Sequence, residues 1–269
     1  MADAPRLSTY PEPVSSPDLV ARLRAAGCVF AEEEAALLEA AATSSAHLEE
    51  LVVRRVAGDP LEQVLGWVDF DGGRVTVDPG VFVPRQRTAY LVELAAPLLR
   101  AGDTVLDLCC GSGALGLALA RRVPGVVVHA ADIDPVAVAC AARNLAPVGG
   151  TALAGDLTDA LPASLRGTAA VIVANVPYVP SAAVALMPPE SRDHEPRGTV
   201  DGGTDGLDLL RRVATLAPAW LRPGGALFSE VSLDQAAVAA DVFAAAGLLA
   251  AAHHDDEREA TAVSGRLPG

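Results

Sequence analysis

The residues best suited to chemistry fall in two clusters. The first is Cys109-Cys110-Gly111-Ser112-Gly113, which follows the apolar run Thr104-Val-Leu-Asp-Leu108 and opens into Ala114–Arg122. Gly111, Gly113 and Gly116 spell G-x-G-x-x-G, and Asp132 closes the next apolar run. That pattern marks a loop that brings a helix N-terminus to a nucleotide-bearing cofactor. The second cluster is Asn175-Val176-Pro177-Tyr178, which ends the apolar run Ala170-Val-Ile-Val-Ala174.

Two cofactors suit the glycine spacing. A dinucleotide would set its pyrophosphate on the helix N-terminus, and Asp107, read as standing at the lip of the loop, would repel it. S-adenosylmethionine (SAM) has no phosphate; it carries a sulfonium, an amino group and a carboxylate. A strand-end aspartate suits its cationic methionine end. Asp132 is expected to accept from both ribose hydroxyls. Asp156, in Gly155-Asp156-Leu157, is expected to accept from the adenine amino group, with Leu157 packed on the ring. Nicotinamide enzymes have no general need for that third acid. Acidic residues at three successive strand ends therefore favour SAM, with Cys109, Cys110, Gly111, Ser112 and Gly113 forming the loop beneath it.

Composition removes several alternatives. All 20 basic residues are arginine. Without lysine there is no Schiff base, no lysine general base and no P-loop lysine. A formal charge of −14 with only 10 aromatic residues makes bare nucleic acid the less favoured partner. Four cysteines do not build a disulfide framework, and the vicinal pair Cys109-Cys110 reads as small packing residues. No basic n-region precedes an apolar stretch at the start, so a reduced cytoplasmic setting is expected. Ala236–Ala252 is alanine-rich and carries Asp241, which suits a buried helix and not a membrane span. His253-His254-Asp255-Asp256-Glu257 reads as a solvated hairpin tip with no metal.

These residues need a scaffold, and the periodicity supplies one. Residues 1–17 are expected to be a flexible tail. Residues 18–66 read as a small helical domain for substrate recognition, with helices opening near Asp18, Glu32 and Ser45. Residues 67–84 alternate like a β-hairpin linker broken by Asp71-Gly72-Gly73 and Asp78-Pro79-Gly80. Residues 85–269 alternate strand and helix, with unbroken Val/Ile/Leu/Ala strands that imply a mostly parallel sheet covered on both faces. Such a sheet binds ligands at the carboxyl ends of its strands. The glycine-rich run Asp201-Gly-Gly-Thr-Asp-Gly206, with Arg192 and Arg197, reads as a lid over the site.

With those residues in view, the sequence resembles the HemK/PrmC family of protein-glutamine N(5)-methyltransferases. The likeness covers most of the chain: the helical N-terminal unit, Phe82-Val83-Pro84-Arg85, the Asp107 loop, Asp132, Gly155-Asp156, the Asn-x-Pro-Tyr segment, Glu195-Pro196 and Gly225–Glu230. It implies a Rossmann-like class I methyltransferase with a seven-stranded sheet, SAM as cofactor and a protein substrate. A release factor carrying a Gly-Gly-Gln loop is the first candidate. An amide nitrogen is a poor nucleophile because its lone pair is delocalised. The resemblance gives Asn175 and the Val176 carbonyl the task of accepting its two N–H groups, Pro177 the turn, and Tyr178 a flat face for the planar group. Asn175 also borders the cofactor. The chain departs from the family pattern at Val176, where the first proline stands, at Cys109, the first loop glycine, and after Pro84-Arg85, where the family's acidic residues are missing and the run is Gln86-Arg87-Thr88-Ala89. A branch with another substrate stays open at this point. So do an amino-methyltransferase acting on adenine or guanine, a nucleotide-binding oxidoreductase and a non-catalytic SAM-fold module.

Overall fold

In a computed structural model, residues 16–187 and 197–269 are described. The expected tail therefore lies almost wholly outside the described residues, as do Arg192, His194, Glu195 and Pro196. The chain divides into a unit ending at Leu65 and a larger unit, Gly66–Gly269.

Among its described residues the small unit has four helices: α1 (Pro17–Ala25), α2 (Ala31–Ala41), α3 (Ser45–Val56) and α4 (Leu61–Leu65). Pro17 occupies the first turn of α1, where its missing N–H costs no hydrogen bond. Ser44 caps α3 by accepting from the His47 N–H. Leu19, Leu23, Leu38, Leu51, Val52 and Val64 form the core. Inside it, Arg55 donates to Glu34 through Nε at 2.6 Å and Nη2 at 3.1 Å, tying α3 to α2.

The larger unit begins with the hairpin β1 (Trp67–Phe70) and β2 (Gly73–Thr76), antiparallel with Phe70 opposite Gly73. Asp71 and Gly72 both have positive φ, which matches the right-handed twist of a two-residue hairpin. The hairpin does not stand between the units as a free linker. Phe70 and Val75 are buried in one apolar cluster with the sheet and its helices. Asp78-Pro79-Gly80 makes a single turn, closed by the Val81 N–H on the Asp78 carbonyl at 3.1 Å.

Seven strands follow: β3 (Thr104–Leu108), β4 (Val127–Asp132), β5 (Thr151–Ala154), β6 (Ala169–Ala174), β7 (Leu221–Glu230), β8 (Leu249–Asp255) and β9 (Ala260–Arg266). Their order is β5-β4-β3-β6-β7-β9-β8, and only β9 runs against the others. The helices are α5 (Ala89–Ala95), α6 (Ala114–Arg122), α7 (Pro135–Leu145), α8 (Asp208–Trp220) and α9 (Ala236–Ala245). Helix α5 is short, with 3-10 turns at Gln86–Thr88 and Ala96–Leu98 on either side. Ala236–Ala252 divides into α9 and the start of β8 at Gly247, whose φ is +83°. Among the described residues no helix is long and apolar enough to cross a membrane.

Strand alternation sorts the core into two layers. Val105, Val171, Val173 and Phe228 face the cluster that holds α5, α6 and the hairpin. Leu106, Leu108, Ile172 and Leu227 face α8 and α9. Strand order reverses between β3 and β6, so their carboxyl ends part there and leave a crevice.

Candidate active site

The crevice is a cavity of about 570 Å³. Its cofactor wall follows β3 and β4. Cys109, Cys110, Gly111, Ser112 and Asp132 line it, with Asp156, Leu157 and Asn175 completing the wall. Asp132 Oδ2 accepts from the Gly111 N–H at 2.8 Å, and its Oδ1 accepts from the Asp134 N–H at 3.0 Å. Each carboxylate oxygen keeps a further lone pair for a ligand. Space beside Gly111, at φ +53°, is open. Cys109 and Leu157 hold left-handed backbone at φ +54° and +51°, a conformation that costs a side-chain-bearing residue strain.

Asp107 and Gly113 do not reach this wall. Alternation along β3 points Asp107 toward α6, where Oδ2 accepts from the Gly116 N–H at 2.9 Å. A Cβ on Gly116 would lie 2.7 Å from Val128 and 3.1 Å from Asp107 Oδ2, so the third glycine serves helix-to-sheet packing. Gly113 turns the chain into α6 at φ +74°. The sequence expectation of a carboxylate at the lip of the loop is thus corrected: Asp107 lies beneath it, 1% exposed. Burial, and secondarily the charge of Asp132, pushes its carboxyl up to about 8. Its Oδ1 has no hydrogen-bond partner among the described residues.

The loop disfavours a dinucleotide through its backbone donors. The Gly111, Gly113 and Gly116 N–H groups already donate to Asp132, the Cys110 carbonyl and Asp107. A pyrophosphate would have to displace those bonds, whereas SAM has no such anion. Both vicinal thiols are held protonated by burial and nearby carboxylates, Cys109 up to about 12. They are packing residues, not a reactive pair. Asp156 pairs with Arg212 at 2.7 Å on the exposed rim. The open side of Gly111, the spare acceptors of Asp132 and an apolar wall of Ile133, Leu157 and Leu115 fit SAM.

The acceptor wall follows β6 and β7. Asn175 continues β6, and Ser229 donates to the preceding Ala174 carbonyl at 2.6 Å. The Asn175 carboxamide has no hydrogen bond among the described residues and borders the cavity. Val176 and Pro177 are buried. The Tyr178 hydroxyl donates to Glu230 Oε1 at 2.8 Å and accepts from Arg87 Nη2 at 2.9 Å. Burial and the neighbouring Glu230 carboxylate push that phenol well above its ordinary value, so it stays protonated.

Behind Tyr178 the glycine-rich run is a strap packed on the chain, not a lid. Val179 bridges Asp201, and the Gly202 N–H donates to the Val179 carbonyl at 2.8 Å. A Cβ on Gly202 would sit 2.6 Å from the Pro177 carbonyl, and one on Gly206 2.2 Å from the Tyr178 carbonyl. Gln235 Nε2 donates to the Tyr178 and Asp205 carbonyls at 2.8 and 2.9 Å. Glycines are needed there for close backbone approach.

Sequence reasoning missed Gln235, Glu230 and Arg87 as partners of Tyr178. The one signal was Arg87 itself, a cation where acidic residues were expected. It also missed Ile133, an exposed apolar residue directly after the strand-end Asp132. Among the described residues no group of His, Cys, Asp and Glu could hold a metal, and the hairpin-tip histidines pair with Ser264 and Thr261.

A seven-stranded sheet in this order, with a glycine loop after its first central strand and Asn-x-Pro-Tyr after its fourth, defines a class I SAM-dependent methyltransferase. Residues 73–187 match the Methyltransferase small domain family. A release factor glutamine methyltransferase of Geobacter sulfurreducens is 37% identical over 199 residues, covering 73% of this chain and 69% of that protein. The 4-amino-L-phenylalanine/4-methylamino-L-phenylalanine methyltransferase of Streptomyces pristinaespiralis is 35% identical over 203 residues, again covering 73% and 69%. A methyltransferase from Pyrococcus furiosus shares the fold, with a TM-score of 0.55 at 16% identity over 72% of this chain and 89% of that one. The chain belongs to the release factor glutamine methyltransferase family.

Proposed function

We propose that the protein methylates the side-chain amide nitrogen of a glutamine in a protein substrate, with the Gly-Gly-Gln loop of a peptide chain release factor as first candidate. The observation that carries this reading is Asn175 at the carboxyl end of β6, in the lining of the cofactor cavity, its carboxamide without a hydrogen bond among the described residues. When bound, SAM supplies an electrophilic methyl group. Cys109 to Ser112, Asp132, Asp156 and Leu157 are the wall that holds it, and Asp107 and Gly113 set the shape of the loop.

Asn175 Oδ1 and the Val176 carbonyl each accept one N–H of the planar NH₂ group, which orients the nitrogen and favours positive charge developing on it. Tyr178 offers its ring face to the planar group. No side chain has to remove a proton first, because that proton becomes acidic only after transfer. The helical unit over residues 18–66 is the part assigned to gripping the protein partner. A protein substrate suits the acidic chain better than nucleic acid does. A translation factor as substrate supports a cytoplasmic setting for the enzyme.

The test is transfer from methyl-labelled SAM to a recombinant release factor, to nucleic acid and to free aromatic amino acids carrying a ring amine. Label in the glutamine of the Gly-Gly-Gln tryptic peptide is expected. Label confined to nucleic acid, or to the ring amine as in the Streptomyces relative's named substrates, would overturn the substrate.

A further inference from the structure

Tyr178 sits at the end of the segment Asn175-Val176-Pro177, which follows β6. Its main chain is fixed by Gln235 and by the glycine strap. Its hydroxyl is fixed by a separate device assembled from distant parts of the chain. Glu230, at the carboxyl end of β7, is 3% exposed. Its Oε1 accepts from the Tyr178 hydroxyl at 2.8 Å and from Arg87 Nε at 2.9 Å; its Oε2 accepts from Thr88 Oγ1 at 2.5 Å. Arg87 closes the ring by donating from Nη2 to the same hydroxyl at 2.9 Å.

A buried carboxylate is tolerated only when its lone pairs are satisfied, and removal of one partner strains the others. Here one guanidinium and two hydroxyls satisfy it. The planar fork of arginine reaches the carboxylate and the phenol together, which the single point charge of a lysine does not. Arg87 is 48% exposed along its side chain, so it is not placed there to fill a core. Arg87 and Tyr178 also line a second cavity of about 500 Å³, so these two residues border both spaces.

We propose that Arg87 is a positioning residue, which with Glu230 fixes the Tyr178 ring against the acceptor and thereby sets the rate of methyl transfer. This rests on the reading of Tyr178 as the face for the acceptor amide. Where the family carries an acidic residue, this chain has turned the position into the second clamp on Tyr178.

The experiment compares wild type with Arg87→Gln, Arg87→Lys, Tyr178→Phe and the double variant Arg87→Gln/Tyr178→Phe. SAM affinity by calorimetry should stay within about twofold of wild type in Arg87→Gln, while kcat falls about tenfold. Arg87→Lys should recover part of that loss. In the Tyr178→Phe background, Arg87→Gln should cost less than about twofold more, because the hydroxyl it held is gone. Equal losses in both backgrounds, or SAM affinity falling in step with activity, would overturn the proposal.

A readout without any acceptor separates this from the substrate question. In protein with ¹³C-labelled tyrosine, the signal missing from Tyr178→Phe identifies Tyr178, and it should shift in Arg87→Gln. An unmoved signal sinks the positioning role whatever the substrate. A shifted signal in an enzyme that does not label a release factor leaves the role standing and overturns only the substrate.

Discussion

The two walls of the cavity are built by different means. The cofactor wall stands on a loop fixed by backbone donors: the Gly111 N–H donates to Asp132 on the adjoining strand, and beneath the wall the Gly113 and Gly116 N–H groups donate to the Cys110 carbonyl and Asp107. The acceptor wall is made of side chains brought from far apart. Arg87 and Glu230 are separated by 143 positions, Arg87 and Tyr178 by 91, and Tyr178 and Glu230 by 52. A backbone wall suits a constant ligand, since its geometry follows from where glycine is allowed. A wall of paired side chains changes with one substitution, which suits a face that meets the variable partner.

The largest expected effect falls at the junction of the walls. Asn175→Ala should lower methyl transfer about 100-fold or more while SAM affinity changes little, because one of two acceptors for the developing charge is lost. Parallel loss of SAM affinity, by calorimetry, would place Asn175 on the cofactor wall alone and blur the division.

Next is the strap. Gly206→Ala sets a Cβ 2.2 Å from the Tyr178 carbonyl at φ +80°, so the backbone has to move. A loss of about 3 kcal/mol in denaturant unfolding is expected. A stability unchanged from wild type would show that the strap lifts away freely, as a lid would.

A smaller effect tests the buried acid beneath the cofactor wall. Asp107 has a folded-state pKa raised from 3.8 to about 8. Between those values the folded protein binds the extra proton and the unfolded chain does not, so this group's contribution to stability declines as pH rises through that window. Asp107→Asn should flatten the decline between pH 5 and pH 8 in thermal melts. An unaltered pH profile would mean that Asp107 is ionised in the fold.

The smallest effect is at Cys109. Glycine relieves its left-handed backbone by about 1 kcal/mol, partly offset by the lost burial of the thiol. Cys109→Gly should therefore raise the melting temperature slightly, and a lowered one would show that the thiol's packing outweighs the strain.

How much was legible follows from the same contrast. Glycines, strand-end aspartates and the period of apolar residues announce local backbone geometry, so the glycine loop, Asp132, Asn175 and the alternating strands could be read directly from the sequence. Asp107 was read as a carboxylate at the rim, because a sequence shows its strand but not which face it takes once α6 lies across β3. The run Asp201–Gly206 was read as a lid, since glycines that permit motion and glycines that permit close contact look alike. The ring of Arg87, Tyr178, Glu230 and Thr88 was invisible, because the turn before α5, the segment after β6 and the end of β7 must first come together.

The sequence by itself determined the class of fold, the glycine loop and the place of Asn175 at the end of β6, in the lining of the cavity. Each depends on residues near one another along the chain, where backbone sterics leave a mark on composition. Only the tertiary structure decided what holds Tyr178, where Asp107 points and that the glycine strap is packed. Those depend on hydrogen bonds between segments that meet only after the sheet closes.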